Sequence, residues 1–207
     1  MATRPAPDGA FGFPIVKLAN NRAAMSMDLA LRPKENALRG VQEKLFVAVT
    51  DYAATPHVYL SHAIDGPTFR VVAHAILQHR FPQAVTDSLF GKEPASRVLA
   101  QDGATRYQWT DFKGGGRPDA AGVHARILSL SWVDRVGHEY PWSLTLTEGP
   151  GRRVGTGAVV PTGAPTRKVQ MHLSPLQVLQ WMALGLEALQ AHTTQALLHT
   201  PLALPRP

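Results

Sequence analysis

The 207-residue chain contains no cysteine. Disulfides, thiolate zinc sites and a cysteine nucleophile are excluded together, and the composition fits a reducing cytoplasm. Charge is sparse too, with 17% of residues charged against 44% hydrophobic. That is a globular balance with a thinly charged surface, of the kind a chain shows when it hides area in an oligomer. No apolar run approaches the length of a membrane span, so no membrane partner is expected. The opening MATRPAPDGAFGFP lacks the continuous apolar core of a signal peptide and reads as a loose arm. The expected location is the cytoplasm, at the nucleoid if the source is bacterial.

The charge that is present is unbalanced. Lys and Arg number 21 and Asp and Glu 15, for a net charge of +6, which favours a polyanionic partner. The basic excess lies in segments 4–44 and 106–168, while residues 188–205 carry no charged side chain apart from neutral histidine. A tail that apolar docks on a partner subunit or on its own domain.

Periodicity supplies the architecture. AAMSMDLALR alternates, with Met25, Met27, Leu29 and Leu31 on one side and Ser26, Asp28, Ala30 and Arg32 on the other, the pattern of a half-buried strand. KLFVAVTDY and PHVYLSH continue as strands, and FPIVKLA is a plausible strand before them. In DGPTFRVVAHAILQHRF the period changes, so that Phe69, Val72, Ala73, Ile76 and Leu77 recur at helical spacing between Pro67 and Pro82. The second half repeats the order. RYQWTDF, HARILSLSWVD, YPWSLTLTE and RKVQMHL are strands, and SPLQVLQWMALGLEALQAH is a helix with Ser174 as N-cap and Pro175 at its first position. The expected fold is α+β: two pseudo-repeats of an antiparallel β-sheet followed by an α-helix, β4α-β4α. The expected division is an arm at 1–10, a first repeat at 11–82, a linker at 83–104, a second repeat at 105–192 and an apolar tail at 193–207.

One stretch carries the functional question. YQWTDFKGGGRP, residues 107–118, runs three aromatics into a lysine, three glycines and an arginine. Aromatics interleaved with basic residues suit a surface that stacks bases and neutralises phosphates. Tyr107 and Trp109 share a strand face, with Phe112 and Lys113 at the edge of a glycine turn and Arg117 beyond it. The same spacing equally suits Tyr107 and Trp109 in a core between two sheets. Trp132 and Trp142 alternate with Ser and Thr and belong to a buried face, and Trp181 lies among Leu and Met on a helix as a structural or oligomeric residue. Arg152 and Arg153 in EGPGRRVGTG, with Arg167 and Lys168 at the next strand, form the densest basic set. In the first half Lys17, Arg22, Arg32 and Lys34 are spread over the matching strands and turns. These side chains are the candidate phosphate contacts, or else a solvated basic face.

A four-strand-plus-helix unit occurring twice resembles the Whirly family of single-stranded-DNA-binding proteins and its mitochondrial RNA-binding relatives; Pur-alpha repeats share the local order. RYQWTDFK is similar to the tyrosine-x-tryptophan plus basic stretch of the first Whirly sheet. VQMHLSPLQVLQWMALGLEAL is similar to the strand, Ser/Thr turn and apolar helix that end the family's repeats. The resemblance covers roughly residues 11–192 and implies two antiparallel sheets per protomer, helices at an oligomer centre, and single strands held at sheet edges and loops. The lysine-rich assembly motif of plant Whirly proteins is not visible.

Other chemistries find little support. His57, His62, His74 and His79 fall in one unit, but His74 and His79 are five apart on a helix and do not share a face. No metal and no cofactor is expected. GGGRP and GPGRRVGTG do not match a phosphate-binding GxxxxGK[ST] loop, and no nucleophile–base signature is present. The expected function is therefore non-enzymatic: largely sequence-independent binding of single-stranded nucleic acid, DNA favoured over RNA, in DNA maintenance or repair, by a homo-oligomer assembled through its helices and C-terminal tail. The alternative is an oligomeric assembly or structural protein, such as a phage component; an enzyme with a site formed across subunits comes third.

Overall fold

The computed structural model describes residues 15–32, 42–78, 98–99, 105–119, 122–134, 137, 139–155 and 159–199. The first half forms β1 (Val16–Ala19), β2 (Ala23–Arg32), β3 (Gln42–Asp51), β4 (Val58–Asp65) and α1 (Gly66–Leu77). After the two-residue β5 (Val98–Leu99) come β6 (Thr105–Asp119), β7 (Gly122–Asp134), β8 (Trp142–Arg153), β9 (Val159–Pro161), β10 (Arg167–Leu173) and α2 (Pro175–His199). Sheet A is a meander in the order β1-β2-β3-β4, and sheet B runs β10-β8-β7-β6-β5, with β9 also paired to β8. All pairings are antiparallel. The chain is thus α+β, with each half a meander of four principal strands followed by a helix.

Alternation decides which face of each strand is buried. Met25, Met27, Leu45, Val47, Val49, Leu60 and Ile64 line the inner face of sheet A. Leu128, Leu130, Leu144, Leu146, Val169 and Met171 line that of sheet B. One continuous cluster joins the two faces with Phe69 and Val72 of α1 and Val178, Trp181, Met182 and Leu189 of α2. Strand β4 packs on β6, β7 and β8, and β10 packs on β2, β3 and β4. The helices contact one another, α1 resting on β3 and β4 and α2 on β1 and β2. Trp181 donates its indole N–H to the Met27 sulfur at 2.9 Å, which satisfies the one polar atom of a fully buried ring. Gly185 permits the close approach of α1: a β-carbon there would lie 2.5 Å from the Phe69 ring.

Two polar links also tie the sheets. His62 on β4 donates from Nε2 to the Asp111 carboxylate on β6 at 2.8 Å. The His62 Nδ1 is buried with no hydrogen-bond partner among the described residues. Arg167 on β10 donates to the backbone carbonyl of Tyr59 on β4 at 2.9 Å.

Three expectations need correction. The triple glycine is strand, not turn: β6 continues through Gly114 and Gly115, which pair with Ala125 and His124, and shifts register between Gly115 and Asp119. Glycine disfavours strands locally, but β7 supplies a ladder long enough to hold it, and the reversal falls at 119–122, where Gly122 takes φ 100°. Likewise β8 continues past the expected strand YPWSLTLTE through GPGRR, with Gly149, Pro150 and Gly151 paired to β7 and Gly151, Arg152 and Arg153 to β9, so Arg152 and Arg153 lie on a strand. Helix α2 extends to His199, through the first part of the expected tail, because its uncharged Ala, Gln and Leu residues carry the helix onward. Of the expected linker, residues 98–99 pair with β6 as β5; the expected arm at 1–10 lies outside the described residues. Among the described residues no helix is long and apolar enough to cross a membrane.

Candidate nucleic-acid interface

The register of sheet B sorts the aromatics of β6. Tyr107 stands opposite Trp132, which stands opposite Trp142 and then Leu173; two residues along, Trp109 aligns with Leu130, Leu144 and Met171. Both rows have the core-facing parity. Trp109 is only 2% exposed, so it belongs to the core between the sheets and offers no ring to a base. This overturns the stacking role considered for it: the strand's inner face is covered by sheet A, and a large apolar ring gains most by burial there. Trp142 is buried, Trp132 packs half-buried against it at a ring-centre distance of 6.3 Å, and Trp181 is structural. The backbone of β6 places Tyr107, Phe112, Lys113 and Arg117, whose side chains lie outside the described residues.

Where the inner face of sheet B emerges from the core, its next row is charged. Lys113, Arg126, Glu148 and Arg167 align on four adjacent strands, β6, β7, β8 and β10. Glu148 accepts from Arg126 Nε at 2.5 Å and from Arg167 Nη1 at 2.9 Å. Burial alone pushes the Glu148 carboxyl up, but the two guanidiniums outweigh it and hold it below the usual range. Through its other nitrogen Arg167 reaches the Tyr59 carbonyl.

That contact leads to the outer face of sheet A. Leu60, His62 and Ile64 of β4 point inward, so Tyr59, Ser61 and Ala63 point out. Tyr59 is 43% exposed and aligns with Thr50, Ala24 and Ala19, while Ser61 aligns with Ala48, Ser26 and Lys17. A tyrosine ring thus rises at the sheet edge above a floor of small side chains. Half-buried Phe46 and Asp28 lie farther along the same face, and burial pushes the Asp28 carboxyl up. At the β3–β4 turn Tyr52 is 49% exposed and meets His57 edge-on at 5.6 Å. Tyr52 also donates its backbone N–H to the Arg22 carbonyl, which joins this turn to the β1–β2 turn.

The basic candidates divide between these surfaces. Lys17 and Lys168 are exposed on β1 and β10. Arg22 is exposed and pairs with Asp51 at 3.5 Å. Arg152 and Arg153 are exposed at the end of β8, about 13 and about 17 Å along the strand from Glu148 at ~3.3 Å per strand residue. The backbone of Arg32 pairs with Gln42, its side chain lying outside the described residues, as does the whole of Lys34. Tyr52, Tyr59 and Arg126 were missed from sequence. The parity of PHVYLSH carried the signal for Tyr59, since Leu60 inward requires Tyr59 outward. The histidines disperse: His57 lies on Tyr52, His62 in the core and His74 exposed on α1. No group of three His, Asp or Glu among the described residues is placed to hold a metal ion. No protein-family model, curated protein or solved structure matches the chain.

Proposed function

We propose that this chain is a non-enzymatic binder of single-stranded nucleic acid, DNA favoured, serving DNA maintenance or repair. The observation that carries the reading is Tyr59: an exposed ring on an edge strand, over a flat floor of Ala, Ser and Thr, beside the basic start of β10. A free face of an antiparallel sheet accepts a base flat against an aromatic, and every base offers a π-face, so such binding is sequence-tolerant. Tyr52 with His57 extends the platform to the turn, and Arg22, Lys17 and Lys168 supply cations around it. Self-association through the helices belongs to the same reading; α2 presents Leu176 to solvent in its first turn.

Fluorescence anisotropy with a labelled single-stranded oligonucleotide and its matched duplex, at several salt concentrations, tests this directly. The wild type should prefer the single strand and weaken steeply as salt rises. Replacing Tyr52 and Tyr59 by Ala should cost about 1–3 kcal/mol for each base that stacks, with little change in the salt slope. Replacing Lys17 and Lys168 by Ala should flatten the log–log slope by about 0.7 per lost phosphate contact. Absence of binding at low salt would discard the reading in favour of an assembly protein.

A further inference from the structure

The charged row on sheet B has an uncommon stoichiometry. One carboxylate serves two guanidiniums: Glu148 takes Arg126 on one oxygen and Arg167 on the other. The three residues sit directly opposite one another on β7, β8 and β10, so adjacent strands about 4.8 Å apart bring the arginines in from either side. The carboxylate is only 10% exposed, whereas the Arg126 and Arg167 side chains are 35% and 47% exposed. Each guanidinium therefore keeps a face toward solvent while its hydrogen-bonding edge is occupied from within.

A phosphodiester presents guanidinium groups with the same pattern as a carboxylate, two anionic oxygens on one centre. Resting on the binding function proposed above, we infer that Arg126 and Arg167 form a phosphodiester site and that Glu148 occupies it in the free protein, acting as a built-in brake on strand affinity. Arg167 is held in place independently of the carboxylate, because its other nitrogen is anchored on the Tyr59 carbonyl. Arg167 is thereby tied directly to the backbone of the residue whose ring is exposed at the edge of sheet A. Neighbouring groups fit the arrangement: the row beneath is Asp111, Leu128, Leu146 and Val169, and the Asp111 carboxylate is committed to His62. Glu148 is consequently the carboxylate that faces both arginines.

The inference has a sign opposite to that of most substitutions at a binding surface. Glu148→Gln keeps the side-chain shape, removes the negative charge and releases both guanidiniums to phosphate. Titration of a labelled oligothymidylate by the full chain should then show binding about tenfold tighter at low salt, with a log–log salt slope steeper by about 1.4, two contacts at about 0.7 each. Glu187→Gln makes the same change of net charge on the exposed face of α2 and should leave the slope at the wild-type value. Glu148→Asp retains the charge on an arm one methylene shorter, able to hold one guanidinium, and should give an intermediate slope. Circular dichroism accompanies each titration, and the Asp variant decides the matter if the Gln variant loses its fold. A wild type that binds, with slopes at position 148 indistinguishable from that of Glu187→Gln, would overturn the brake and leave the sheet-edge reading standing. Failure of the wild type and all variants to bind would overturn both.

Discussion

Tyr59 and Leu60 are neighbours on β4, yet the tyrosine is 43% exposed and the leucine is buried. The strand's two-residue period separates them, and the same period sends Trp109 of β6 inward. Hydrophobicity alone ranks the tryptophan and the tyrosine similarly as stacking partners; only the parity of the flanking Leu and Ile residues tells them apart. Trp109→Ala is expected to destabilise the fold by about 3–5 kcal/mol, the cost of emptying a large core site, read from the midpoint of urea denaturation. Under conditions where the variant is folded, its salt slope for single-stranded DNA should equal that of the wild type, because the ring meets Leu side chains and no phosphate. A changed slope would return Trp109 to the binding surface.

Helix α2 shows what single elements disclose in advance. Its start was legible: Ser174 Oγ accepts the Gln177 N–H at 3.3 Å and Gln177 returns the bond to the Ser174 N–H at 2.9 Å, a reciprocal cap written in four residues. Its far end was not legible, because it is held from a distance. Glu43 on β3 accepts from Arg70 of α1 and from His192 and Thr193 of α2, and these partners lie 27 to 150 residues away. The glycine-rich half of β6 was hidden for the same reason, since its ladder is supplied by β7. Burial pushes the Glu43 carboxyl up, and its bonds to Arg70, His192 and Thr193 more than reverse this, leaving it below the usual carboxylate range. Glu148 is depressed in the same way. A carboxyl with a lower pKa folded than unfolded binds fewer protons in the native state, so its contribution is fully present above the unfolded pKa and is lost as pH falls through the folded one. Thermal stability should therefore be nearly level from neutral pH down to about 5 as far as these two groups are concerned, then fall below about 4.5. Glu43→Gln should remove part of that acid-dependent fall, measured by melting at each pH; an unchanged profile would deny Glu43 its place.

At the scale of the whole molecule the two halves repeat a pattern but share a core, since residues of both sheets and both helices belong to one buried cluster. The inner face of sheet A is covered only in part by its own helix: β10 lies over β2, β3 and β4, and Trp181 of α2 fills the space beside Met27 of β2. Unfolding should accordingly be a single transition, with tryptophan fluorescence and far-ultraviolet circular dichroism falling at the same denaturant concentration. Two separated midpoints would mean that the repeats stand independently. The composite surface was hidden from the sequence on the same account, because Tyr59 and Arg167 meet only where two sheets do. Their contact has a consequence for the solution behaviour of the chain. Strand β4 is the last strand of sheet A, and an outer strand with open carbonyls is a template on which another chain can add a strand and begin to aggregate. By taking the Tyr59 carbonyl, Arg167 places a charged, bulky side chain against that edge and opposes strand addition at this position.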